Sequence, residues 1–233
     1  TMAGAAYRIL IHATMAALDD EDKPQLAVVP NDTPGMTITG DWNTLGMRAT
    51  VSPSVNFEES PIEQDCLLGE PGGAFDTGVG ASFGLGYAAV YLGAAGRALE
   101  YTIEYCNTHQ FVPDPVPLSH SLLVQRDVAE MTMALEGARL VLYQSASRWE
   151  GMDTAKRLVL SARAKYMATN AALMVTSKCL QTVGGRSAHK LLPLERLHRD
   201  VRTCTLMPPN LDRMVELIGK SELGVPDEVF ATY

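Results

Sequence analysis

Several things are missing from this chain of 233 residues, and each absence removes a class of function. It has no surplus of positive charge: 19 Lys and Arg stand against 27 Asp and Glu, a net charge of −8. That balance argues against a nucleic-acid backbone or an anionic membrane as the main partner. No apolar run reaches membrane-spanning length, and no signal peptide is expected. Only four cysteines occur, Cys66, Cys106, Cys179 and Cys204, far apart and without a C-x-x-C pair. They read as reduced thiols filling the core of a cytoplasmic protein. None of the five histidines pairs with Cys, Asp or Glu at ligand spacing on one helix face, so no metal site is expected. A Walker loop, a Ser-His-Asp signature, internal repeats and low-complexity segments are also lacking.

What is present divides in two. Residues 1–70 carry short apolar runs separated by turns. Tyr7 to His12, Leu26 to Val29, Met36 to Thr39 and Val55 to Phe57 read as strands, with Asp19–Pro24 and Asn31–Gly35 as turns between them. Pro53 and Pro61 bracket the Val55 run and mark an edge-type strand. These are too few strands for a closed barrel. After Gly72-Gly73 the apolar period changes to that of helices. Leu85, Ala89, Leu92, Gly96, Leu99 and Ile103 form one stripe, and Val128, Met131, Leu135, Ala138 and Leu142 a second. A third runs through Val159, Ala162, Tyr166, Leu173, Leu180 and Val183. Pro113, Pro115 and Pro117 make a stiff loop after the first. A short helix over 194–205 and a last one through Leu211, Met214, Val215 and Ile218, stopped by Gly224, complete the set. The expected class is α+β, mainly α. A partial barrel-like β-domain (1–70) is followed by an antiparallel helical bundle (71–225) and a frayed tail (226–233).

One stretch joins the long third helix to the short one: Gln181-Thr-Val-Gly184-Gly185-Arg186, then Pro193-Leu-Glu195-Arg196-Leu-His198-Arg199-Asp200. A glycine pair lets the backbone turn sharply and lets N–H groups approach a phosphate, although Gly after a helix also serves simply as a cap. Glu195 and Arg199 are spaced i,i+4 for a surface ion pair around His198.

Together with Trp42-Asn-Thr-Leu45-Gly46-Met47-Arg48, Val55-Asn-Phe57 and Leu67-Leu68-Gly69-Glu70, this stretch resembles the acyl-CoA dehydrogenase family of flavoproteins. The likeness covers Thr1 to about Gly224, in order. It implies FAD bound at a subunit interface and oxidation of an acyl-CoA thioester across its α and β carbons. It further implies fatty acid metabolism, an electron-transfer acceptor protein, and a homodimer or homotetramer. By the same resemblance, Thr1 matches the threonine beside the flavin ring. Gln181, Gly184 and Gly185 match the loop that reaches the FAD of a neighbouring subunit, and His109 stands where an arginine usually touches the FAD pyrophosphate.

The chain departs from the family where the chemistry is done. The usual base is a glutamate eight residues after the Arg-Asp aspartate; here that position is Pro208, within Thr205-Leu-Met-Pro-Pro-Asn210. Proline has no acid and no N–H, so it can neither abstract a proton nor polarise a carbonyl. The alternative base position on the first bundle helix falls near Phe83, followed by Gly84 in place of a common arginine. Asp212 and Asp76 are the remaining acidic candidates. Three readings follow: an acyl-CoA dehydrogenase with another base, a non-catalytic subunit of a heteromer with a paralogous chain, or a flavin monooxygenase on the same fold. The chain reads as starting within a longer protein, and as a poorly soluble, flavin-free product when made alone.

Overall fold

The computed structural model describes Ala6 and residues 8–15, 23–71, 73 and 79–225. These fall into two compact units, divided at Gly80. Thr1, Asp76 and the tail after Val225 lie outside the described residues.

The first unit is antiparallel β. Strands β1 (Arg8–Met15) and β2 (Lys23–Pro30) pair along their whole length, Arg8 opposite Pro30 and Met15 opposite Lys23. The short β5 (Leu67–Leu68) adds to the other edge of β2. A separate pair joins β3 (Met36–Thr39) to β4 (Ser54–Phe57). Alternation sets the faces: Gln25, Ala27 and Val29 are buried while Leu26, Val28 and Pro30 are half-buried. The buried Gln25 amide donates to the Leu68 and Gly69 carbonyls at 3.1 and 3.2 Å, fixing β5 against β2. Trp42 Nε1 donates to the Met47 carbonyl, and Arg48 Nε to the Thr44 carbonyl, closing the Trp42–Arg48 loop on itself. Neither sheet of the described residues closes into a barrel.

The second unit is a bundle of three long helices, α1 (Val79–Thr108), α2 (Leu122–Ser147) and α3 (Thr154–Val183), with α4 (Pro193–Arg202) and α5 (Leu211–Leu223) packed on α3. Local chemistry marks the ends. Asp153 and Asn210 accept N–H bonds from Lys156 and Arg213 as N-caps of α3 and α5, Pro193 opens α4, and Gly224 ends α5 in a left-handed turn. The expected class, mainly α with a small open β portion, is what the structure has.

The interior differs in detail from the apolar stripes of the sequence. The buried side of α2 is the one read from periodicity, through Met131, Leu135, Ala138 and Leu142. On α1, Leu92, Gly96 and Leu99 of the expected stripe are buried, but Ala89 and Ile103 face outward and Leu85 is half-buried; Gly84, Ala88, Tyr91, Ala95, Ala98, Thr102 and Cys106 are buried as well. On α3, Tyr166, Leu173 and Leu180 are only half-buried, while Ala164, Ala168, Ala172, Val175 and Cys179 are buried completely. Small side chains hold the centre because helix backbones approach closely there. At the tightest point, a Cβ on Gly84 would stand 2.1 Å from Ser161 Oγ and 3.1 Å from the Ser161 carbonyl oxygen. A side chain at this position meets Ser161 at once.

Gly84→Ala should therefore lower the melting temperature of the bundle by roughly 2–8 °C, since overpacking costs about 1–3 kcal/mol in a core of this size. Calorimetry of the complete protein reads this directly, and an unchanged transition would mean that α1 and α3 do not meet at Gly84.

Candidate functional site

The segment between α4 and α5 contains Pro208, the residue that the sequence resemblance puts forward as standing in place of a base. A short 3-10 turn (Thr203–Thr205) follows α4, then Leu206 to Pro209 bend away to Asn210. Pro208 and Pro209 are exposed on the outer side of this bend. Their carbonyls, with that of Met207, turn inward onto one atom: Lys165 Nζ donates to Met207 O at 2.6 Å, Pro208 O at 3.2 Å and Pro209 O at 2.8 Å. Lys165 lies on the alanine-lined side of α3 and is completely buried. Its ammonium has three N–H donors, and three acceptors meet them.

The surroundings of this ammonium are aromatic and weakly acidic. Nζ sits 4.8 Å from the centre of the Tyr87 ring, a cation–π contact, and Tyr87 stacks on Tyr91 one turn along α1. The Cys204 thiol faces the Tyr91 phenol, and burial pushes both up, the thiol to about 12. Both groups are therefore neutral near pH 7. Burial lowers Lys165 to about 8, with the nearby Cys204 opposing the shift. Among the described residues no carboxylate bonds to it. The segment is thus a lid of carbonyls over a buried cation, and its proline face carries neither an acid nor an N–H donor.

The glycine turn is open. Gly184 caps α3 with φ 78° and ψ −160°, a backbone region essentially reserved for glycine, and the chain continues as a 3-10 turn to Ala188. Gln181, Gly184, Gly185 and Arg186 are all exposed. Gly185, Arg186, Ala188, His189, Leu191 and Leu192 line a shallow concavity of about 570 Å³. Beyond it, Arg199 grips Glu195 through two bonds of 2.7 and 3.2 Å, which holds the Glu195 carboxyl below the usual carboxylate range. His198 points inward, its Nδ1 3.1 Å from Thr176 Oγ1, and burial followed by the Arg202 charge lowers its pKa.

The other sequence candidates are dispersed. His109 is half-buried in an aromatic stack, 4.6 Å from the Tyr105 ring centre and 5.0 Å from that of Phe111. Phe83 is exposed one turn before Tyr87 on α1. Asp212 is exposed in the first turn of α5, in a surface hollow with Asn210, Arg213 and Glu216. No cluster of three or more His, Cys, Asp or Glu suited to a metal occurs among the described residues. Sequence reasoning missed Lys165. Its signal was a lysine three and seven residues before Ala168 and Ala172, inside a small-residue stripe.

Comparison with known proteins gives a consistent picture. The family profile described as acyl-CoA dehydrogenase, C-terminal domain, matches residues 85–207, more than half of the chain. The short-chain specific acyl-CoA dehydrogenase of Bos taurus mitochondria is 34% identical over 182 residues, 75% of this chain and 42% of that protein. The dibenzothiophene monooxygenase of Rhodococcus erythropolis is 31% identical over 230 residues, 88% of this chain and 55% of that protein. The FMN-bound crystal structure of TdsC from Paenibacillus sp. A11-2 superposes with a TM-score of 0.85 at 28% identity, covering 99% of this chain and 63% of that one. The chain thus spans about half the length of these curated relatives.

The two glycines of the exposed turn carry different demands. Gly184→Ala should destabilise the bundle by about 1–3 kcal/mol because alanine strains in that backbone region. Gly185→Ala, with open space where its Cβ would stand, should change stability by less than about 0.5 kcal/mol. Urea unfolding of the two variants side by side checks this; equal losses would contradict the backbone assigned to Gly184.

Proposed function

Because the chain belongs to the acyl-CoA dehydrogenase family through that family's C-terminal helical domain, we propose that it is part of a flavin-dependent oxidoreductase of the monooxygenase kind. The observation that carries this reading is the segment Met207–Pro209: prolines outward, carbonyls inward on Lys165. A dehydrogenase of this family needs a carboxylate to remove the α proton, and this segment has none to offer. Oxygenation needs no such base. The likeness to dibenzothiophene monooxygenase and to TdsC supports the same direction.

The residues present fit a flavin nucleotide. Gly185 lines the concavity without a side chain, Gly184 turns the backbone beside it, and the exposed Arg186 places a cation there, a combination suited to a phosphate or diphosphate. Gln181 sits one turn earlier on the same exposed side. Reduced flavin, when bound, supplies two electrons to dioxygen, of which one atom enters the substrate and the other leaves as water. Phe83, Tyr87 and the proline face supply apolar surface and no hydrogen-bonding group except the Tyr87 hydroxyl. That favours a small, neutral, apolar substrate over a thioester that must be polarised. The homo-oligomer belongs to the proposal as well, with the glycine turn serving a neighbouring subunit's flavin.

α,β-Dehydrogenation of an acyl-CoA is the second reading, favoured by the identity with the short-chain specific enzyme. It requires a base from outside the 203–211 segment: Asp76, Asp212 reached by a rearranged α5, or a paralogous chain in a heteromer. An electron-transfer acceptor protein belongs to this reading alone. Thr1 and His109 as flavin neighbours are common to both.

One experiment separates the two. The complete protein is loaded with flavin and mixed anaerobically with a panel of acyl-CoA thioesters; in parallel it receives reduced flavin, ¹⁸O₂ and a panel of neutral heteroaromatic compounds. The flavin absorbance should stay unbleached in the first arm, and ¹⁸O should enter an organic product in the second. Bleaching by a thioester would overturn the oxygenase reading and turn the search to the substitute base.

A further inference from the structure

Lys165 is an expensive residue to keep. A lone ammonium on a central helix, with no carboxylate bonded to it among the described residues, is disfavoured by burial unless its donors are fully used. Here they are used on three consecutive carbonyls, and two of those belong to prolines. Pro208 and Pro209 have no N–H with which to enter a turn or a helix, so their carbonyls are the only main-chain groups through which they can be anchored. The ammonium supplies that anchor from α3, and the Tyr87 ring closes over it.

We propose that Lys165 is the positioning residue of the site: its ammonium latches the segment Met207–Pro209 in the inward-carbonyl arrangement and so sets the proline wall that replaces the family's carboxylate. The proposal rests on reading this segment as a wall of the flavin site. Its test observes the segment itself, so a failed latch and a failed oxygenase reading are told apart.

The latch is titratable, and two quantities move in opposite directions with pH. The groups facing Lys165 are Tyr87 from α1 and Cys204 from the turn after α4, with Tyr91 of α1 behind Cys204. Burial keeps the Tyr91 phenol and the Cys204 thiol neutral through the range in question, while Lys165 deprotonates near 8. When the segment lets go while Lys165 stays enclosed by α3 and the Tyr87 ring, an ammonium loses three charge-assisted bonds and a neutral amine loses much less, so the segment loosens as pH rises through 8. Global stability changes the other way. Lys165 has a folded pKa below the ordinary value of about 10.4, so between the two values the unfolded chain binds more protons and the folded state gains as pH rises. A merely structural lysine would not loosen one segment while the fold around it becomes firmer.

The experiment is hydrogen exchange of the complete protein between pH 7 and pH 9.5, corrected for the intrinsic rate, followed in the peptide that holds the Leu206, Met207 and Asn210 amides. Protection there should fall about tenfold across this interval, as expected for losing the charge on one set of bonds, while protection in α2 and α3 holds or rises. Lys165→Met should show the low protection already at pH 7. Lys165→Arg, whose charge persists, should show no pH dependence. Should Lys165→Met fail to fold, the wild-type profile and the arginine variant carry the test. Protection of this peptide that ignores pH in the wild type overturns the proposal, as does unchanged protection in Lys165→Met at pH 7.

Discussion

A cation buried without a counter-charge must be met by dipoles, and the arrangement of this bundle's working end follows from that requirement. Lys165 is completely enclosed on α3, and the three carbonyls it needs come from the bend that links α4 to α5. Meeting it fixes where the bend runs and which way Pro208 and Pro209 turn. It also places Tyr87 and Tyr91 of α1 against the same spot. The close alanine packing along α3 makes this possible: Ala164, Ala168 and Ala172 let the neighbouring helices come near enough to seal the lysine from water.

The same requirement explains why this site differs in kind from one built on a carboxylate. A glutamate in the bend would present charge outward, toward substrate. Here the charge is beneath the bend, and the outward surface is two pyrrolidine rings. The polar groups of the segment are committed to the protein, leaving apolar contact as what it offers to a ligand. The glycine turn at Gly184 and Gly185, exposed beside Arg186, shows none of this departure. Its geometry is suited to a phosphate, as the proposed flavin site requires.

How much of this could be read in advance depended on the size of the residues involved. On α2, large branched side chains carry the core, and Met131, Leu135, Ala138 and Leu142 were legible from spacing alone. On α1 and α3 much of the core is alanine, glycine, serine and threonine, which carry little hydrophobic signal, with larger residues such as Tyr91, Leu92, Leu99 and Val175 among them. Periodicity therefore favoured Ile103 and Leu173, which are larger but lie further out. The expectation that Pro208 stands where the family has an acid came from one position in an ordered motif, and the structure adds only where its carbonyl and ring point. Lys165 was not legible, because a lysine reads as solvent-facing until three-dimensional packing closes over it. The turn after α3 agreed with its sequence, since φ 78° at Gly184 is a demand only glycine meets easily.

The most direct test of this account is the ionisation of Lys165 in the folded protein, followed by the ¹³Cε and ¹⁵Nζ resonances of the lysine that disappears in Lys165→Met. The account calls for a charged, slowly exchanging ammonium at pH 6.5 that titrates near 8. A lysine with rapidly exchanging protons and an ordinary midpoint of about 10.4 would contradict it, because such an ammonium would be in water rather than held by Met207, Pro208 and Pro209.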